Sequence, residues 1–464
     1  MADLKNFMGF SSAGVLPAAI NLLLIPIYAT KLNLSEFGII GLTSTIISFC
    51  SIFINLQVGA IIVRFFHEIN GYQQKLFISS IIYSGLGISF ISLSFILSFF
   101  VNINNPWYPV IYNPLLLFLL VGLIIFNSLT LIIERVLIAQ QKGGAHFKRT
   151  LFASIINIIF VLLLFNYTSL KIEVYFIATL AGSILSVILG LVQIRHLLIL
   201  RLDFKYISNA VKYGIPLIPH SLGGYLFMNS EIWIIQSYLG LEALGVYTIA
   251  LRMIIPAKII VNSYNKVFQG RYNELQIKNP DKGRHYAKSS SSLWLNGILI
   301  FIVLYGLSID YIYTLVFPQN MQKGILISKI LLFGYYFRGL YCFTSTPLFY
   351  NYRTNVIPFV TLSAGIANII LNLIFIKSFN LQGVAIISVI SFALTAITAD
   401  LLVHKNEKFP FSKPRLIVSI ITLIIISVFL VFHQYPKSIE QWILDIFIFL
   451  CSTLIILKST KRTV

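Results

Sequence analysis

Apolar runs of roughly 20 residues recur from one end of this chain to the other, and they restrict the possible folds more than any other feature. A run of that length spans the roughly 30 Å hydrocarbon core of a bilayer when it forms an α-helix. The chain is 58% hydrophobic and only 11% charged, which exceeds the apolar content that a soluble core requires. We therefore predict an all-α integral membrane protein without a separate soluble domain.

About fourteen transmembrane helices are expected from the runs. They lie at 9–30, 38–63, 76–101, 114–139, 150–166, 174–194, 213–238, 245–267, 291–316, 324–349, 355–376, 382–403, 415–433 and 441–457. The first run is longer than the apolar region of a signal peptide and has no small-residue cleavage site, so we expect it to stay in the mature protein.

Lysine and arginine are distributed unevenly among the loops. Most of the 34 basic residues lie on one side, at Lys5, Arg353 and in 64–75, 135–149, 195–212, 266–288, 404–415 and 458–462. Because positively charged short loops are retained in the cytoplasm, both termini are predicted to be cytoplasmic. The net charge of +19 is then explained by topology and by the anionic inner leaflet, and it does not indicate nucleic-acid binding.

A short motif occurs twice and predicts two lobes. The segment LNLSEFG at 32–38 returns as LGLEALG at 239–245, each time at the turn of the first predicted hairpin of a lobe. Each copy contains six predicted helices, and because six is even, both copies enter the membrane in the same direction, as in alternating-access transporters with a central site. We predict two pseudo-symmetric six-helix lobes and a C-terminal helix pair, with the second lobe preceded by an amphipathic, membrane-surface linker at 195–212. The boundaries are 1–200, 201–403 and 404–464.

Ionisable residues inside the spans are the first candidates for a functional site, because each costs about 2.5–3.5 kcal/mol at the helix centre. Lys258 and Arg338 are predicted to lie near the bilayer centre, either as substrate-binding cations or as structural residues bound by helix carbonyls and hydroxyls. Glu231 and Arg252 lie at nearly equal distances from the turn at 240–245, so a hairpin places them at similar depth, where they either pair or leave Arg252 to snorkel toward the outer headgroups. Lys329 lies near a span end and is expected to snorkel toward the headgroups.

The segment YGIPLIPHSLGGYLFMNSEIWII at 213–235 combines two prolines, His220 and Glu231 on one helix face. The prolines free carbonyls that only protein or water can satisfy, so this face is predicted to line a hydrated cavity between the lobes. Glu231 and His220 are the candidates for coupling or gating, although a histidine here is also consistent with helix packing. A cationic cavity with few acids favours an anionic, phosphate-containing substrate. The predicted polar wall includes Asn21, Asn55 and Asn262.

The sequence contains no signature of a catalytic site. It has no GxxxxGK[ST] phosphate loop, no HExxH, no zinc-ligand spacing and no nucleophile with its base, and its three cysteines form no CxxC. The external loops of about four to thirteen residues are too short for the site of a membrane glycosyltransferase or polymerase. We therefore expect a protein that is not an enzyme and that uses no cofactor or metal.

Residues 212–250, KYGIPLIPHSLGGYLFMNSEIWIIQSYLGLEALGVYTIA, resemble the opening of the second lobe in Wzx-type O-antigen and polysaccharide flippases. These belong to the multidrug/oligosaccharidyl-lipid/polysaccharide exporter (MOP) superfamily. The resemblance implies a V-shaped, MATE-like pair of lobes in the bacterial inner membrane. It also implies that an undecaprenyl-pyrophosphate-linked oligosaccharide, such as the lipopolysaccharide O-antigen unit, moves from the cytoplasmic to the periplasmic leaflet. Arg338, Lys258 and then Arg252 match the family's substrate-binding cavity cations.

The resemblance further implies a lipid-linked oligosaccharide and membrane lipids as partners, together with a polysaccharide polymerase and a chain-length regulator. Many drug exporters of the superfamily carry a carboxylate in the first span, and this chain has none between Asp3 and Glu36. The basic residues that lipid II flippases have in that helix are also missing. Both absences favour the oligosaccharide branch, and an ion-coupled small-molecule or multidrug exporter is the alternative.

Overall fold

The computed structural model describes residues 2–55, 61–62, 65–101, 113–351, 353, 356–404, 407–411 and 413–432. Throughout this part of the chain the regular structure is helical, which confirms the prediction of an all-α protein. The α-helices are α1 (Ala2–Lys31), α2 (Leu34–Asn55), α3 (Gly71–Val101), α4 (Pro114–Ala139), α5 (Gly143–Tyr167), α6 (Ile172–Ile194), α7 (Phe204–Gly214), α8 (Ile218–Met253), α9 (Ile255–Lys278), α10 (Pro280–Val316), α11 (Gly324–Tyr350), α12 (Ile357–Leu402) and α13 (Lys413–Phe432).

The helices agree with a multi-pass membrane protein. Within the described residues, nine helices are long and apolar enough to cross a membrane. Helices α8 and α12 each include residues of two predicted spans. A non-helical residue separates the two parts, Gly240 (φ 82°) in α8 and Asn380 (φ 49°) in α12. The first thirteen predicted spans all overlap a described helix, and the last one, 441–457, lies outside the described residues. The expectation of about fourteen spans is therefore roughly met.

Both copies of the repeated motif coincide with a break between helical segments. In the first copy, the Asn33 side chain accepts from the Glu36 backbone N–H (2.9 Å) and the Glu36 carboxylate accepts from the Asn33 N–H (2.7 Å). This reciprocal cap starts α2 immediately after α1 ends. In the second copy, Gly240 takes the positive φ that other L-residues avoid. The two motifs are thus turns, as predicted, although different residues form them.

Contacts divide the chain into two compact units, unit 1 at Met1–Tyr225 and unit 2 at Leu226–Val464. In unit 1, α5 packs along both α1 and α6, and α6 also packs on α4. The amphipathic linker contains α7, which belongs to this unit and packs on α3. There the Tyr206 hydroxyl donates to Gln73 (2.8 Å) and its ring contacts Phe77. The division into lobes at 200 and 403 stays a prediction.

Unit 2 is organised around α11, which packs on α9, α10, α12 and α13. At one end of this bundle Lys329 is only 2% exposed, so the expectation that it snorkels is wrong. Its ammonium forms an ion pair with Asp310 on α10 (2.6 Å) and donates to the Leu430 carbonyl on α13 (3.0 Å). Because the Asp310 carboxylate supplies a buried counter-ion, the Lys329 ammonium does not need to reach the lipid headgroups. The lysine thereby connects α10, α11 and α13.

A substitution at Gly182 should disrupt the contact between α5 and α6. A methyl group there would lie 2.8 Å from the Ala153 carbonyl oxygen, and backbone cannot move away as a side chain can. We expect Gly182→Ala to destabilise unit 1 by about 1–3 kcal/mol, seen as a lower thermal unfolding temperature of the purified protein. Gly87→Ala is the control, since its methyl group would meet nothing within 4 Å. An unchanged or raised unfolding temperature for Gly182→Ala would contradict the close approach.

Candidate functional site

A buried carboxylate in unit 2 lies between α8 and α12. Glu231 is 7% exposed, and the Ser388 hydroxyl donates a short hydrogen bond to it. The Tyr247 hydroxyl, farther along α8, lies 3.5 Å from the Ser388 hydroxyl that donates to this carboxylate. Hydroxyl donors stabilise a buried carboxylate without neutralising it, so this group keeps the capacity to take up a proton or a cation.

Amides and hydroxyls extend from this carboxylate along α12. The Asn368 amide donates to Ser391 (3.0 Å), while its oxygen accepts from Ser230 (3.2 Å) and from the Asn372 amide (2.9 Å). Asn368 and Asn372 are nearly inaccessible to solvent. We call these residues together with Glu231, Tyr247 and Ser388 the α8–α12 polar network. Buried amides and hydroxyls inside an apolar bundle are costly unless they are hydrogen-bonded, and most of these side chains bond to one another or to Glu231.

The expected ion pair between Glu231 and Arg252 does not form. The carboxylate accepts from the Ser388 hydroxyl, and Arg252 is half-buried with other interactions. Equal distance from a turn predicts equal depth, but it does not predict which helix face each side chain occupies. Packing of α8 against α12 decides that face.

The two central cations of the prediction belong to neighbouring helices of unit 2. Lys258 is an exposed residue of α9 and Arg338 a half-buried residue of α11, and their positive charges act on one another. The Arg338 guanidinium lies over the Phe392 ring, 5.6 Å from its centroid. Within the described residues neither cation forms an ion pair with a carboxylate. Two positive charges that act on one another, with no carboxylate partner among the described residues, can attract an anion.

The remaining predicted polar residues are spread over both units. Asn262 is exposed on α9, whereas Asn21 lines a cavity inside unit 1. The side chains of Asn55 and His220 lie outside the described residues. The predicted cavity between the lobes stays a prediction. Among the described residues, no cluster of three or more histidine, cysteine or acidic side chains could hold a metal ion.

Sequence reasoning missed several buried polar residues. Asn368 and Asn372 stand one helical turn apart in an otherwise apolar span, and this spacing was a usable signal of a polar helix face. Asp310 is a further example. It is a carboxylate inside a predicted span, and its expected depth in the membrane could have identified Lys329 as its partner. Arg149 belongs to the segment 135–149, which the charge distribution predicts to be a loop, but α5 begins at Gly143 and buries this arginine.

A family profile described as polysaccharide biosynthesis protein matches residues 29–314, more than half of the chain. The chain belongs to this family. Among curated proteins, none matches the sequence. The profile covers all of unit 1 after residue 28 and, in unit 2, the helices that carry Glu231 and Lys258.

Solved structures share the fold of this polysaccharide biosynthesis protein. The lipid II flippase MurJ in an inward closed conformation aligns with a TM-score of 0.76 at 16% identity, covering 98% of this chain and 99% of that one. An inward-facing multidrug resistance MATE family transporter of the MOP superfamily aligns at 0.60 and 16% identity, over 83% and 93%. A eukaryotic MATE transporter aligns at 0.58 and 13% identity, over 92% and 100%. These solved structures are of flippases and transporters, and they confirm a MurJ- and MATE-like fold for this chain.

Proposed function

We propose that this polysaccharide biosynthesis protein flips an undecaprenyl-pyrophosphate-linked oligosaccharide, an O-antigen or capsule repeat unit, from the cytoplasmic to the periplasmic leaflet of the bacterial inner membrane. The observation that carries the proposal is the pair of cations Lys258 and Arg338, which interact without a carboxylate partner among the described residues. A pyrophosphate supplies the missing negative charge. The family and the fold support a transporter of this kind.

In the proposed mechanism the two cations have different tasks. The planar guanidinium of Arg338 binds two phosphate oxygens at once, and its contact with Phe392 limits its orientation. Lys258 acts as a mobile point charge that follows the head group. Arg252 is the third proposed substrate-binding cation. The lipid tail stays in the bilayer while alternating access exposes the head group first to one side and then to the other.

Glu231 is the proposed coupling residue, with His220 as a second candidate for coupling or gating. Uptake of a proton or a cation by the buried carboxylate would change the hydrogen bonds that join α8 to α12, and so favour one conformation over another. The α8–α12 polar network supports this role because it buries polar side chains of both helices in the same unit as this acidic group, and Ser388 of α12 donates to the carboxylate directly.

Glu231→Gln should therefore lower the flipping rate by about tenfold, since the amide still accepts from Ser388 but cannot change charge. The rate is measured in proteoliposomes under imposed proton and sodium gradients. Glu242→Gln is the matched control, because it makes the same change at an exposed position of the same helix. If Glu231→Gln responds to both gradients as the wild type does, Glu231 is not the coupling group.

Deleting the gene tests the function itself. We expect loss of surface polysaccharide and accumulation of single repeat units on the lipid carrier at the cytoplasmic face, both reversed by the wild-type gene. The polymerase and the chain-length regulator are the proposed partners that use the flipped unit. In a strain with no second flippase, normal surface polymer together with drug sensitivity would instead favour the ion-coupled small-molecule exporter.

A further inference from the structure

Unit 1 contains a polar cavity of about 350 Å³ among α1, α4, α5 and α6. Asn21 of α1 and Asn157 of α5 line it, together with several hydroxyls of α5 and α6. All of its lining residues belong to unit 1, and none of them is Lys258, Arg338 or a member of the α8–α12 polar network. The proposed flipping mechanism assigns it no task.

Arg149 is the distinctive residue of this cavity, because its side chain is only 1% exposed. One terminal nitrogen donates to the Thr130 carbonyl at 3.3 Å, and the other donates to Nδ1 of His146 at 3.1 Å. The Nε–H has no hydrogen-bond partner among the described residues. Nor does any described carboxylate come within 4.0 Å of the guanidinium. A buried guanidinium in this condition lacks both a close counter-ion and one acceptor.

Two further groups of the cavity bear on what it can hold. The Thr130 hydroxyl is buried and has no partner among the described residues, so a second donor beside Arg149 is unused. Glu134 also lines the cavity, half-buried and more than 4.0 Å from Arg149, and it interacts with the arginine only electrostatically. The Glu134 carboxylate reduces the attraction of Arg149 for an anion, but it is too far away to act as a counter-ion in contact with the guanidinium.

We propose that this cavity binds a phosphate-type oxyanion with Arg149 as its anchor. A tetrahedral oxyanion offers several acceptor oxygens, so it can accept from Nε–H of Arg149 and from the Thr130 hydroxyl at once. The cavity is large enough for a phosphate group together with a few waters, each of which occupies about 30 Å³. The phosphate belongs either to a membrane phospholipid headgroup or to free inorganic phosphate, which share this chemistry.

The test uses the purified full-length protein. Binding of radiolabelled inorganic phosphate is measured by equilibrium dialysis in detergent, and retention of phosphatidylglycerol is measured by native mass spectrometry after release from nanodiscs. We expect binding in one or both arms, weakened by about tenfold or more in Arg149→Gln. Phosphate binding alone identifies the free ion as the ligand, and lipid retention alone identifies the headgroup.

Three variants separate binding from folding. Thr130→Val keeps the side-chain shape and removes a hydroxyl that has no partner within the described part of the chain, so it should fold normally and still bind several-fold more weakly. Glu134→Gln should bind several-fold more tightly, because it removes the opposing charge. Arg135→Gln removes an exposed arginine next to Glu134 in the sequence, and it should leave binding unchanged. If neither arm detects binding that depends on Arg149 and Thr130, the proposal is wrong, and Arg149 and Glu134 serve only to stabilise unit 1.

Discussion

Lys329→Met should destabilise unit 2 by about 3–5 kcal/mol, the loss expected when one member of a buried ion pair is removed. The substitution leaves the Asp310 carboxylate charged and 2% exposed without its ammonium partner, and it removes the donor to the Leu430 carbonyl. Three helices lose a shared contact at one point. The measurement is thermal unfolding of the purified protein, together with the amount of protein recovered from membranes.

A double substitution distinguishes the ion pair from the general loss of a long side chain. Lys329→Met combined with Asp310→Asn should recover much of the lost stability, because no unpaired charge is then buried. Lys323→Met removes an exposed lysine just before α11 and should change stability by less than about 0.5 kcal/mol. Purely additive effects of the two single changes would mean that Lys329 and Asp310 do not stabilise one another.

Arg338→Ala should lower flipping by roughly 10- to 100-fold, the range that corresponds to losing a hydrogen bond to a charged group. Lys258→Ala should lower it less, because a point charge on a flexible stem contributes less geometry than a guanidinium. Surface polysaccharide in a complemented deletion strain gives the readout, and membrane levels of each variant show that it is inserted.

The controls for this prediction preserve charge or change it elsewhere. Arg338→Lys keeps the charge but loses bidentate binding, so it should flip at an intermediate rate. Lys266→Ala removes an exposed lysine of the same helix as Lys258 and should support normal export. Wild-type export by both Arg338→Ala and Lys258→Ala would show that the cationic site is assigned incorrectly.

Hydropathy predicted the architecture well because membrane insertion depends on the composition of each run by itself. The first thirteen apolar runs overlap the described helices, and the turns of the repeated motif lie at the break after Lys31 and at Gly240. The helix boundaries were less accurate where polar residues begin a helix. Helix α5 starts at Gly143 although the apolar run begins at 150, and it buries Arg149, whose two terminal nitrogens donate to the Thr130 carbonyl and to His146 inside unit 1.

Sequence alone thus established the all-α membrane fold, the turns and the family, since these follow from local composition and from a contiguous motif. Only the tertiary structure decided the partners of the buried charges. Lys329 pairs with Asp310, Glu231 is held by Ser388, and Arg149 lines a cavity of unit 1. Depth along a helix can be counted from the sequence, whereas the direction of a side chain around its axis depends on how neighbouring helices pack.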